Sequence, residues 1–477
     1  MKKIFFVSVS VLLLAACKRD ITNIDPKAPQ TAPPSALFTN AQRVLTNTVT
    51  STNVNLNIFR LITQQWTQTT YTDESNYNLS TRNIPENLWT AMYRDVLRDL
   101  EEAKRLTTTL ESDTAIRRNQ IAVSDIMQVY TWYYLVTTYG NIPYSEALDI
   151  NRTAPKFDDQ RTIFMDLIRR ITEDIAALQR SPSSATIFRS GETGADVIYN
   201  GSIAQWIRFA NSFKLKMGIT IADADPATAR TTVESAVAGG VFRSNADNAV
   251  FRYLSAPPNT NPVWVDVIQS GRNDYVIAST FANTVTTLND PRASAFFTAD
   301  PTGGYSGGTP GESNTFETFS HTGTVTTQQN TPATLLSYSE TEFNLAEAAQ
   351  RGWNVGGTAS QHYNNAVTAS ILEWGGTQAQ ATTYLEQPSV AYDPVNWRQR
   401  IGQQKWIALY NRGWDAWIEQ RRLDYPQLTA PSTALSAYPL RFTYPVSEQN
   451  LNRVNYEQAS QAIGGDVVTT RLFWDKF

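Results

Sequence analysis

Apolar side chains recur every three or four residues along several long stretches of this chain, and a chain built that way has little choice but to stack helices. Glu86 to Leu106 carries Leu88, Met92, Val96, Leu100 and Ala103 in that rhythm. Ala115 to Tyr139 carries Ile121, Ile126, Val129, Trp132, Tyr133 and Val136, and is closed by Gly140 and Pro143. Arg161 to Gln179 repeats the pattern with Ile163, Leu167, Ile171, Ile175 and Leu178. A period near 3.6 gathers such residues on one helical stripe that has to be buried against a neighbour. Similar stretches run from Gly201 to Ala222, Ser339 to Arg351, Ser360 to Trp374 and Trp397 to Asp424. Asp225-Pro226 opens a short one that stops at Gly239-Gly240, a cap followed by proline at one end and glycine at the other.

Short turns between these stretches predict antiparallel helix pairs. Ser339 to Gly375 has the small-residue spacing of a tetratricopeptide unit, with Leu345, Ala346 and Ala349 facing Tyr363 and Ala366. The expected fold is therefore mostly α, a tetratricopeptide-like helix-pair solenoid. An irregular helical domain is the other reading of the pattern alone. A less regular, loop-rich part is expected at about 241–335, with a strand-like piece around "AVFRYL" and a Gly/Thr/Ser stretch from Thr298 to Pro332. "LRFTYP", Leu440 to Pro445, reads as a short extended piece.

The N-terminus sets the compartment. "MKKIFFVSVSVLLLAACKRD" has a basic start, an apolar run far below the ~20 residues of a spanning helix, and small residues before a cysteine. It reads as a signal peptide over 1–16 with Cys17, the one cysteine of the chain, as a lipidated first mature residue. Polar, Pro-rich residues then form a tether to 35, leaving 36–477 as a single helical domain. The formal charge is −4, or −6 once Lys2 and Lys3 leave with the signal, which argues against nucleic acid as a partner.

The composition favours stacking surfaces over metal chemistry, with 12 Trp and 21 Tyr but 2 His. "WTQTTYTDESNYNL", Trp66 to Leu79, sets three aromatics among amides, hydroxyls and acids without an apolar period. Aromatic faces cover the CH faces of a sugar and amides fix its orientation, so Tyr71, Asp73, Asn76 and Tyr77 are candidate ligand contacts. Trp66 is expected to pack inward, continuing the helical face of Ile58 and Ile62. A second cluster is "NPVWVDVIQSGRNDY", with Trp264, Asn273 and Tyr275; Trp264 lies between valines and could equally be buried. Tyr305, in the Gly-rich stretch, is a third platform. Trp353 and Trp374 end helices, either as hairpin packing or as surface.

Enzymatic readings fare worse. Gly304-Tyr305-Ser306-Gly307-Gly308 matches a nucleophile-elbow motif, but neither a strand before it nor a helix after it is evident. His321 and His362 stand alone, without the spacing of a zinc site. The acidic neighbours Asp73-Glu74, Glu101-Glu102 and Asp158-Asp159 read as solvated charges. No metal, calcium included, and no cofactor is expected. Glycoside hydrolysis remains the rival class, since two distant carboxylates could be brought ~5–9.5 Å apart.

Several blocks in order resemble the SusD/RagB family, in its SusD-like subgroup: the cysteine-ended leader, "YTDESNY", "TTYGNIPYSEAL", "NGSIAQWIRFANSFKLKMGITIAD", "SYSETEFNLAEAAQRGW" and "NRGWDAWIEQRRLDYP". The resemblance covers nearly the whole mature chain. It implies four tetratricopeptide-like helix pairs plus a less regular ligand-facing part. It further implies an outer-membrane lipoprotein facing the cell exterior, a non-catalytic lid on a SusC-like TonB-dependent transporter. The ligand would be an oligosaccharide or, in some branches, a peptide. Gly140 to Tyr144 and Arg412 to Pro426 read as scaffold within it, with Glu419 and Arg422 paired on a helix surface. Val263 to Thr331 matches no family binding residue one to one.

Overall fold

A computed structural model describes residues 32–182, 186–189 and 191–477. The leader and Cys17 lie outside the described residues. The body from Pro34 to Phe477 is one compact unit. Its helices include α1 (Pro34–Thr50), α2 (Arg98–Leu110), α3 (Thr114–Tyr139), α4 (Gln160–Gln179), α5 (Ile203–Thr220), α6 (Pro226–Gly239), α7 (Tyr338–Gln350), α8 (Ala359–Glu373), α9 (Trp397–Ala408) and α10 (Gly413–Leu423). α1 packs on α2, α3 on α4, α5 on α6 and α7 on α8. α2 and α3, and then α4 and α5, also pack together, so successive pairs stack as a solenoid.

The helix ends follow local chemistry. Asp113 caps α3 by accepting the N–H groups of Ala115 and Ile116 at 2.8 and 3.0 Å. Gly140 ends α3 at φ +86°, and a Cβ there would come 2.8 Å from Leu472 Cδ2, so this turn takes glycine on two grounds. From Asn119 on, α3 is buried on nearly every side except at Ile121, which makes it the central post of the stack. Thr358 and Gln361 form a reciprocal capping box at the start of α8.

Three expectations need correction. The stretch ahead of α2 is helical from Ile84, but Ala91–Leu97 is a π-helical segment. Trp397 to Asp424 is two helices, because Asn411 takes φ +66° between α9 and α10. Leu440 to Pro445 forms no strand. The block Arg412 to Pro426 is scaffold in a stronger sense than surface pairing implies. Every residue of α10 is buried, and Arg422 bonds Glu419 at 2.7 Å and Glu347 at 2.6 Å inside the core. Removing one partner from such a network leaves an uncompensated charge, at a cost of roughly 3–5 kcal/mol.

Beside the solenoid, the described residues contain six short strands: β1 (Trp66–Gln68), β2 (Ile142–Pro143), β3 (Phe157–Asp158), β4 (Ala249–Phe251), β5 (Tyr275–Ile277) and β6 (Ala333–Leu336). They pair antiparallel as β1 with β5, β2 with β3 and β4 with β6. The first of these pairs brings the polar aromatic loop against the second aromatic cluster, in the register Trp66–Ile277, Thr67–Val276 and Gln68–Tyr275.

Candidate ligand-binding groove

Three segments far apart in sequence meet around β1 and β5. Thr69 N–H donates to Asp274 O at 2.9 Å, and Thr69 Oγ1 donates to Asn273 O at 2.6 Å. The long Gly/Thr/Ser stretch closes over the other side. Gly308 N–H donates to Ile277 O at 2.9 Å, and Ile277 N–H donates to Ser320 O at 2.9 Å. Asn314 ties the stretch to the first loop, donating from its backbone to Thr69 O at 3.0 Å and from Nδ2 to Gln68 O at 2.9 Å. A segment that reads as loose in sequence is thus held by backbone ladders at both edges.

The three segments enclose a groove of about 210 Å³. Tyr275 forms one wall, with its hydroxyl tied to Thr52 O at 2.8 Å and its ring 5.6 Å from that of Trp66. Phe316 and His321 form another as a parallel stack, with ring centroids 3.7 Å apart and planes 9° from parallel. His321 Nε2 is fixed by Phe316 O at 2.7 Å, so the stacked pair behaves as one plate. Ile268, half exposed on a π-helical turn, supplies an apolar edge, and Asn273 with Thr298 and Thr324 supplies amide and hydroxyl groups. Burial pushes the Tyr275 phenol well above its usual range, so it stays a neutral donor.

The ligand contacts expected from the first loop and the second cluster separate into two groups by orientation. Tyr71 is 72% exposed at φ +54°, two residues past the Thr69 contact with this face, and Asp73 is exposed beside it. Asn273 and Tyr275 line the groove. Asn76 and Tyr77, expected on the open face, are turned inward. Asn76 Nδ2 donates to Gly311 O at 2.7 Å while its Oδ1 accepts from Thr433 at 2.7 Å. Tyr77 is 3% exposed and meets Tyr438 edge to face. Glu74 is not a solvated acid either: it is fully buried between Gln68 Nε2 at 2.7 Å and Arg82 Nε at 2.5 Å. Trp66 is buried, as a strand residue rather than a helical one, with its indole N–H on Tyr410 at 3.1 Å. Trp264 and Tyr305 are half-buried outside the groove lining, Tyr305 edge-on to Phe297 at 5.7 Å.

Neither Phe316 nor Ile268 stands out in the sequence, and His321 reads there only as an isolated histidine. The run "FETFSH" inside a polar stretch is nonetheless a signal of the same kind as the first loop. Among the lining residues of this groove there is no Asp or Glu. Ser306 of the G-x-S-x-G match sits in irregular chain with no helix after it. His362 is held by Glu342 at 2.7 Å and by Gly356 O.

The sequence matches the family model described as "starch-binding associating with outer membrane", SusD-like, over residues 26–445. The chain belongs to the SusD-like family. Solved structures agree with the fold. A chitin-binding protein is 26% identical with a TM-score of 0.81, covering 93% of this chain and 100% of its own. A chitin-binding SusD homolog from Flavobacterium johnsoniae is 23% identical with a TM-score of 0.79, covering 92% and 98%. A SusD homolog from Bacteroides uniformis is 24% identical with a TM-score of 0.78, covering 93% and 99%. No curated protein matches the sequence. The SusD-like match spans both the helix pairs and the loops that form the groove.

Proposed function

We propose that this protein is a cell-surface glycan-binding component of nutrient uptake. In this reading it is tied to the outer membrane by a lipid on Cys17, faces the cell exterior, and serves as a hinged lid on a SusC-like TonB-dependent barrel. The observation that carries the binding role is the meeting of Tyr275 and the Phe316–His321 plate in one loop-built groove with Asn273 and threonine hydroxyls, while Tyr71, outside the lining, is exposed two residues beyond Thr69. Flat apolar rings with a few placed hydrogen-bonding groups suit the CH faces and hydroxyls of an oligosaccharide. The family description and the two chitin-binding relatives support the same ligand class. A groove lined without carboxylates offers no general acid for a glycosidic oxygen, which favours binding over hydrolysis.

The test is calorimetric titration of the full chain with oligosaccharides, chitin and starch fragments among them, and with peptides. Tyr71→Ala and Phe316→Ala are each expected to weaken glycan binding about fivefold, since a stacked ring contributes on the order of 1 kcal/mol. Melting temperatures should hardly move, because neither ring is part of the core. Unchanged affinity in both variants removes the groove assignment. Tight peptide binding in place of glycan would make this an oligopeptide-binding member of the family. Glycan turnover abolished by one acid substitution would make it a hydrolase.

A further inference from the structure

A second cavity takes Val325 and Thr326 from the turn whose neighbours Thr324 and Thr327 line the groove, and its wall residue Tyr410 bonds two groove residues, its OH accepting from Trp66 and bonding Thr322 at 3.0 Å. Its volume is about 160 Å³, room for roughly five waters. Its walls are aromatic. Tyr130 and Tyr134 come from α3, Trp374 from the end of α8, and Tyr410 and Trp414 from either side of the α9–α10 turn. Val325, 50% exposed, stands at the rim.

Charge pairing leaves one group over. Arg412 bonds Glu340 and Asp415, each at 2.7 Å. Lys216 bonds the same two acids at 2.7 and 2.5 Å. Two cations thus cancel two carboxylates. Glu373 also lines the cavity, and its contacts are neutral: Asn248 Nδ2 at 3.3 Å and Thr334 Oγ1 at 3.5 Å, with no Lys or Arg in salt-bridge range among the described residues. Protein encloses its carboxylate closely enough that burial raises its pKa, yet more than a third of its surface stays reachable. Glu373 is thus both part of the cavity wall and open to solvent. A carboxylate with no bonded cation, on which Arg412 acts only at longer range, set among π-faces is an arrangement that recognises an organic cation, the carboxylate and the rings attracting positive charge and the rings also covering its carbon atoms.

We propose that this cavity is a binding site for a small organic cation, an ammonium seated against Glu373 with its carbon skeleton on the aromatic walls. The site is independent of the glycan reading and stands if that reading fails. Calorimetry on the full chain with choline, glucosamine and neutral N-acetylglucosamine tests it. One or both amines should bind saturably, and N-acetylglucosamine at least about tenfold more weakly at this site, the loss expected when the charge is removed. Glu373→Gln keeps the volume and removes the charge, and should weaken amine binding about tenfold or more. Val325→Trp should block entry while leaving the melting temperature in place, and Tyr71→Ala should leave amine binding unchanged. Absence of amine binding overturns the proposal. So does full affinity in Glu373→Gln, or in Val325→Trp. Loss of amine binding in Tyr71→Ala would place it in the groove instead and equally overturn it.

Discussion

Asp174 on α4 shows how much a single side chain can carry in a packed helical stack. It is 9% exposed, its Oδ2 has no partner among the described residues, and Asp125 stands beside it. Burial and the Asp125 charge together push its pKa up to about 9. Asp125 has the opposite fate. Burial acts against its charge, but Arg170 and Lys104 outweigh that and hold it ionised well below the usual range. Folding therefore obliges Asp174 to take up a proton that an unfolded Asp, with a pKa of about 3.9, has given up at neutral pH. The stability this group contributes is complete below about pH 4 and drains away as pH rises towards about 9. Asp174→Asn mimics the protonated form permanently. It should raise the melting temperature at pH 8 and leave it nearly unchanged at pH 4; an equal shift at both values would show that Asp174 is ionised in the fold.

At the scale of elements, the helix pairs were readable because burying a stripe is a local requirement written at 3.6-residue spacing. The exceptions have physical causes. The π-helical segment Ala91–Leu97 has no distinct spacing, since its stripe of Met92, Val96 and Leu97 serves an α-helix as well. The break before α10 did leave a signal in "YNRGW", an Asn at positive φ with a glycine two residues on, but the apolar rhythm on both sides masked it. That break exists to admit the chain Phe59–Ile62. Arg60 from this turn is buried and spans it, donating to Thr50 O, Ser51 O and Asn411 at 2.7–2.9 Å. Gly413 opens α10 directly against the same backbone. A Cβ there would lie 2.7 Å from the Phe59 carbonyl carbon and 2.9 Å from Arg60 Cα, neither of which can rotate aside. Gly413→Ala is expected to cost about 1–3 kcal/mol through overpacking, read as a lower urea midpoint. An unmoved midpoint would mean that the two segments separate freely.

Across the whole molecule, what the sequence hid was direction. The composition of the first loop suggests rings held out in water, and Tyr71 is exposed, but Tyr77 follows at φ +63° and faces the core. Only the long-range pairing of β1 with β5 decides which ring goes where, and no local periodicity encodes it. Attachment to the membrane poses the reverse problem. Family membership places the protein at the outer membrane, yet no helix among the described residues is long and apolar enough to cross one. If a lipid holds the protein there, as proposed above, Cys17 is its expected site. A single acyl chain, at about 0.8 kcal/mol per buried CH₂, holds only marginally, so stable attachment calls for several chains on that residue. Cells expressing the natural chain should incorporate labelled palmitate into it and retain it in the outer-membrane fraction through a high-salt wash. Cys17→Ser should lose both the label and the salt-resistant retention while its body keeps the same melting temperature. If Cys17→Ser stays in the membrane fraction after that wash, contacts of the folded body rather than lipid hold the protein in place.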